Sequence, residues 1–291
     1  MKIMGHKPTP TAWVGFVIVG AFIFIAIFAP WIAPYPQEQT FDGVEAYAPP
    51  SATMWLGADQ IGRDLFSRVI YGARMTIGIA LVTTLLSFTI GIVFGLWAVV
   101  GGKIVDQILS RIVDVMLSIP LLIFALVVLS IFGSSVSVDW IPNEIMQLII
   151  LVLVIAVLDS TRVFRLSRSV AMNIVVLEYV EAARLRGEGT WWIIRREILP
   201  NALPPMISEF GLRFCFNFLF VAALSFLGLG VQPPLADWGG MVKDNARALG
   251  FGLPAPLWPA AAIALMTIGV NLIVDWILSI NARPSGASAE M

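Results

Sequence analysis

The sequence predicts an all-α integral membrane protein with six transmembrane helices and both termini on the cytoplasmic side. Three observations carry that prediction. Of 291 residues, 58% are hydrophobic and 13% charged, with a mean hydropathy of +0.89, against roughly 45–50% apolar and about 25% charged in soluble domains. Six stretches supply the ~20 mostly apolar residues a helix needs to cross a ~30 Å hydrocarbon core at ~1.5 Å per residue. Basic residues are shared unevenly among the connections, which orients the spans.

The first span, Trp13 to Ile32, exceeds the ~7–15 apolar residues of a cleaved signal. Ala29-Pro30-Trp31 is also a poor cleavage site, so this helix is expected to be retained. The segment from Ala33 to Arg74 is broken early by Pro34, Pro36, Pro49 and Pro50. Its second half reads as helix, because Ile61, Leu65, Val69 and Ile70 share a face and Asp64 precedes Arg68 by four residues. The expectation is an amphipathic helix on the membrane surface, or alternatively a contact surface for an external partner. The remaining spans run from Thr76 to Val100, Ile112 to Phe132, Ile145 to Phe164, Phe210 to Val231 and Trp258 to Leu278.

With the N-terminus inside, the cytoplasmic segments hold Lys2, Lys7, Lys103, Arg111, Arg162, Arg165, Arg168, Arg184, Arg186, Arg195, Arg196 and Arg283. The external segments hold Arg63, Arg68, Arg74, Lys243 and Arg247, with Arg213 near the inner end of the fifth span. The connection between spans four and five therefore faces the cytoplasm. Trp13, Trp31, Trp140, Trp258 and Trp276 fall near span ends, where an amphipathic ring suits the headgroup region.

Polar residues in or beside spans should face the bundle or reach the interface. Glu209 and Arg213 are spaced to pair, and Asp114 and Asp159 can satisfy neighbours such as Arg111 and Arg162. Asn217 and Asn271, deeper and neutral, are candidate pathway residues, with an interhelical hydrogen bond as the competing reading. Gly228 and Gly230 permit close packing or a bend and are candidate gate residues, and Pro233-Pro234 ends the fifth span.

Several functions are excluded. Cys215 is the single cysteine and His6 the single histidine, which leaves no internal disulfide, no His/Cys metal site and no thiol enzyme. A net charge of −1 gives no reason to expect a nucleic-acid partner. No G-x-x-x-x-G-K-[ST] loop is present, so the chain does not hydrolyse ATP by that route. An intramembrane hydrolase would need a nucleophile with its base or a metal set, yet H-E-x-x-H and G-x-S-x-G are missing. An ATP-independent channel is the other alternative, and such a channel would lack the polar loop's docking role.

Such a loop is present. Glu178 to Pro205 is a polar island between two oily spans. Glu178 to Arg186 favours helix, and Gly187 suits the position just past a helix end. Thr190 is expected to cap a second helix, Trp191 to Ile198, that stops near Leu199 ahead of Pro200. Ala182 and Ala183 would let a partner's groove approach the backbone, and Glu181 offers a charge for pairing. The plainer alternative is a solvated loop in which Glu181 pairs with Arg184.

Glu181-Ala182-Ala183, Gly187 and Ile198-Leu199-Pro200 resemble the E-A-A loop of ABC importer permeases, although Ile198 adjoins Leu199 where the family often keeps one residue between them. The likeness continues through Trp55-Leu56-Gly57-Ala58-Asp59, Gly62-Arg63-Asp64, Gly72-Ala73-Arg74, Arg111-Ile112-Val113-Asp114 with Pro120, and Leu224 to Pro234 followed by Trp238-Gly239. These segments are similar to the second permease subunit of dipeptide, oligopeptide and nickel importers.

The resemblance implies the type I permease fold in a cell inner membrane and the transport of peptides or a related small solute. It divides the chain into a first span with its external segment (1–75), a permease domain (76–280) with a cytoplasmic coupling loop (165–205), and a tail (281–291). It further implies that Glu178, Glu181, Ala182, Ala183, Gly187, Ile198, Leu199 and Pro200 form the contact with an ATPase. The implied partners are ATPase subunits that bind ATP and Mg, a homologous permease subunit and an external substrate-binding protein, with no cofactor in this chain.

Overall fold

The computed structural model describes residues 8–132 and 140–281. Lys2, His6, Lys7, Arg283 and the tail beyond Asn281 lie outside the described residues. The first helix, α1 (Pro10–Ile32), starts at Thr9, whose hydroxyl accepts the Ala12 N–H at 3.2 Å. It is followed by α2 (Leu65–Val100), α3 (Lys103–Ser118), α4 (Leu121–Phe132), α5 (Asn143–Val175) and α6 (Glu178–Leu185). Then come α7 (Thr190–Ile193), a π-helical turn (Ile194–Ile198), α8 (Leu199–Phe226), α9 (Trp238–Asp244), a 3-10 turn (Ala246–Phe251) and α10 (Leu257–Asn281). Five helices are long and apolar enough to cross a membrane, and the bent pair α3 and α4 brings the number up to six.

That bent pair corrects the third expected span. Ile112 to Phe132 is not one rod, because α3 and α4 meet at 89°. Pro120 has no N–H to continue the helix and holds Ile119 extended (φ −90°, ψ 129°). On α5, Arg168 meets Asp106 and Arg165 meets Asp114. Both α3 and α4 pack against α5. The partner expected for Asp114 is also corrected, from Arg111 to Arg165 at 2.6 Å.

The external helix is corrected as well. Leu65 to Ile70 is not a separate surface helix but the first turns of α2, a single helix of 36 residues and about 54 Å. Asp64 caps it by accepting the Ser67 N–H at 2.8 Å, and Leu65 and Ile70 are buried in the bundle while Ile61 stays exposed. The polar side of these turns finds partners in the external segment. Asp59 accepts from Arg63 Nε at 2.7 Å and lies 3.4 Å from Arg68 Nε, and all three side chains are buried. Arg68 also donates to the Gln37 carbonyl, which draws the proline-rich stretch over the helix end.

Trp238 closes this cap over the start of α2 from the other side. Its indole N–H donates to the Val69 carbonyl at 2.8 Å and its backbone N–H to Thr76 Oγ1 at 3.0 Å. The ring is fully buried between Phe22 and Phe218 and packs against Gly72. Asp237 caps α9 by accepting the Gly240 N–H, and burial pushes its carboxyl up to about 6 against the lowering effect of bonds from Gly240, Ser225 and Gly239.

Within the bundle α2 lies along α5. Gly91 and Gly95 make the close approach, a small-residue pair four apart of the kind that brings membrane helices together. A Cβ on Gly91 would stand 2.5 Å from the Val163 Cβ and 2.8 Å from the Ser160 carbonyl, and the Gly91 carbonyl accepts from Ser167 at 2.9 Å. Gly91→Ala is therefore expected to cost about 1–3 kcal/mol through forced separation. The check is a lower thermal midpoint of the purified chain in detergent, and an unchanged midpoint would count against this packing.

Candidate functional site

The connection between α5 and α8 carries α6, α7 and the π turn. Val180 and Ala183 on α6 are fully buried, packed with Ala171, Ile174, Ile193, Ile194, Ile198 and Ala202. This seats α6 against α5, α7 and the π turn. Glu178, Glu181 and Ala182 lie on the opposite, exposed side. The two expected alanines therefore part company, with Ala182 outward and Ala183 inward. Glu181 makes no ion pair with Arg184. Among the described residues Arg186 carries the loop's ion pairs, at 3.9 Å to both Glu188 and Glu197.

Gly187 ends α6 in the left-handed region at φ +82°. Its N–H donates to the Arg184 carbonyl at 2.9 Å and the Glu188 N–H to the Ala183 carbonyl at 3.2 Å, the paired bonds of a glycine C-cap. Beyond it, two expectations are corrected. Gly189, not Thr190, holds the capping position, and no side chain caps α7. The helix does not stop at Leu199 either. A π turn carries the chain into α8, with the Leu199 N–H reaching back to the Ile194 carbonyl. Widening the turn there relieves the clash that the Pro200 ring would make with the preceding turn. Ile198 is fully buried, Leu199 half-buried and Pro200 exposed.

A second polar group lies inside the bundle. Asp159 on α5 is buried and accepts from Ser87 Oγ and Asn217 Nδ2, each at 3.0 Å, while Arg213 stands 3.5 Å away. Asn217 Nδ2 also reaches Thr84 Oγ1 at 3.1 Å, which ties α2, α5 and α8 together. Arg213 pairs with Glu209 at 2.7 Å, as their spacing predicts. The partner expected for Asp159 is corrected from Arg162 to Arg213. Arg162 instead lies over the Phe216 ring, 4.5 Å from its centroid. Asn271 is exposed on α10 and takes no part in this network.

At the outer end, α8 stops at Phe226 and not at Val231, because Gly228 (φ +89°) supplies a second glycine C-cap. Its N–H donates to the Ser225 carbonyl and the Leu229 N–H to the Leu224 carbonyl, both at 2.9 Å. Gly230 is in close contact with Ser225, where a Cβ would collide with the backbone at 2.5 Å. Gly228, Gly230 and Gln232 line a pocket of about 220 Å³ with Ser130 and Gln147. Among the described residues no group of His, Cys, Asp and Glu could hold a metal ion.

Residues 87–283 match the family described as binding-protein-dependent transport system inner membrane component. The chain belongs to this family. It is a permease component of a binding-protein-dependent ABC transporter, the non-catalytic membrane part, and a multi-pass protein. Residues 9–50 match the N-terminal transmembrane domain of oligopeptide transport permease C, which makes this the C-type subunit. The permease is 38% identical over 276 residues to the dipeptide transport system permease protein of Escherichia coli strain K12, covering 92% of this chain and 87% of that one. It is 34% identical over 269 residues to the protein of the same name in Alkalihalophilus pseudofirmus, covering 92% and 84%. To the glutathione transport system permease protein of Pectobacterium atrosepticum it is 32% identical over 263 residues, covering 89% and 83%.

Small and buried residues are the part that sequence reading missed. Gly91 and Gly95 carried a readable signal in their spacing. The Asp159–Arg213 contact carried none, since 54 residues separate the two and nothing in either segment names the other.

Proposed function

We propose that the permease forms, with a second homologous permease subunit, the pathway of an ATP-driven importer for peptides or a related small solute. An external binding protein delivers the solute, and partner ATPase subunits bind ATP and Mg. Both termini lie in the cytoplasm, in an inner membrane. The observation that carries this reading is the seating of α6, whose buried face packs on α5, α7 and the π turn that leads into α8, while Glu178, Glu181 and Ala182 are exposed. Such a helix is a lever for an outside partner. ATPase subunits that close on ATP would move α6, and the long helices would shift between inward-facing and outward-facing states.

In this scheme Glu178, Glu181 and Ala182 make the contact, while Ala183, Ile198 and Leu199 hold the helix from beneath. Gly187 and Pro200 shape the turns at either end of the second segment. Gly228 and Gly230 form the outer gate, Asn271 is a pathway residue, and Asn217 keeps the pathway helices in register. The solute class follows relatives named for dipeptide and glutathione transport. Reconstituted in liposomes with its ATPase subunits, second permease and binding protein, the permease is expected to drive dipeptide uptake that stops when ATP is withheld. Uptake at the same rate without ATP would instead favour a channel.

A further inference from the structure

One seam of the bundle, where α4, α5 and α8 meet, carries polar groups at the two ends of an apolar stretch. Outside lies the pocket formed by Ser130, Gln147, Gly228, Gly230 and Gln232. Fifteen residues along α5 from Gln147, or about 22 Å, Arg162 rests on Phe216 of α8 with its guanidinium carbon 4.5 Å from the ring centroid. Arg213 approaches the same ring at 5.6 Å.

The two arginines differ in what they lack. Arg213 is neutralised by Glu209 at 2.7 Å and Asp159 at 3.5 Å. Among the described residues Arg162 has neither an ion pair nor a hydrogen bond, and its guanidinium lies over an aromatic face. The nearest acid on its own helix, Asp159, takes Ser87 and Asn217 on Oδ2 and turns Oδ1 toward Arg213. A ring face offsets only part of the cost of a guanidinium in a membrane helix. The half-buried fork thus stands ready for an anion from outside the fold, and its planar donors match a carboxylate in two parallel bonds.

We propose that Arg162 binds the carboxylate of the passing solute, holding the C-terminus of a peptide against Phe216 part-way along the pathway. This rests on the importer reading above. The test uses the assembled transporter in proteoliposomes and measures the half-saturating concentration for a dipeptide and for its C-terminal amide. Each is scored as a ratio of variant to wild type, so the preference of the binding protein cancels.

Arg162→Gln is expected to raise the value for the free acid about tenfold while leaving the amide within about twofold. Arg162→Lys, which keeps the charge and loses the fork, should fall between. Arg165→Gln, on the same helix but already paired with Asp114, should move neither. An equal effect of Arg162→Gln on both cargoes, or none on either, overturns the subsite and leaves the importer reading standing. If Arg162→Gln fails to copurify with its partners, Arg162→Lys decides by the same comparison. A wild-type transporter that takes up no peptide overturns the peptide reading and the subsite with it.

Discussion

Asp59→Ala is expected to destabilise the folded permease by about 3–5 kcal/mol. The carboxylate is buried between Arg63 and Arg68, themselves buried, and it also accepts the backbone N–H groups of Ile61 at 3.0 Å and Arg63 at 2.9 Å. Its removal leaves two guanidiniums without a counter-ion and two N–H donors without an acceptor, in a place water does not reach. The cap over the start of α2 would open. Arg186→Ala provides the contrast. Its contacts to Glu188 and Glu197 are 3.9 Å long and its side chain is 55% exposed, so its loss should cost roughly 0–1 kcal/mol. Thermal midpoints followed by tryptophan fluorescence in detergent check the pair. Equal losses would contradict the argument from burial.

Hydropathy finds a span because lipid demands a long apolar run, and each long helix lay where the apolar residues lie. It does not find where a helix ends outside the lipid. The outer turns of α2 depend on Asp64 as a cap and on Arg68 meeting Asp59 and Gln37, contacts that apolar counting does not weigh. Direction is equally invisible to it. Ile112 to Phe132 stays apolar across Pro120, so a bend of 89° reads as one straight span.

In the loop between α5 and α8 the glycine at position 187 is readable, because a left-handed cap favours one. The split between Ala182 and Ala183 is not, because it depends on which face of α6 meets Ile193 and Ile198. The continuation past Leu199 was hidden for a related reason. Proline at 200 signals a stop, and the π turn that accommodates it leaves no mark in the sequence.

Coupling through α6 carries the second large expected effect. Glu181 is exposed and has no ion pair among the described residues, so Glu181→Lys should leave the stability of the chain within about 0.5 kcal/mol. Its charge is nevertheless reversed on the face we propose for the ATPase contact. A charge reversal at the centre of a small contact is expected to lower transport at least tenfold. Gly187→Val should act from the other side, since a β-branched residue is strained at φ +82° and the end of α6 would unwind. Ala183→Glu differs from both, because its side chain would enter a packed cluster and lower stability itself.

The most direct test measures ATP-driven uptake and cargo-stimulated ATPase activity in the same proteoliposomes for wild type, Glu181→Lys and Gly187→Val. Both activities should fall together in both variants while the transporter stays assembled. Normal uptake and normal stimulated ATPase activity in the assembled variants would contradict coupling through this helix.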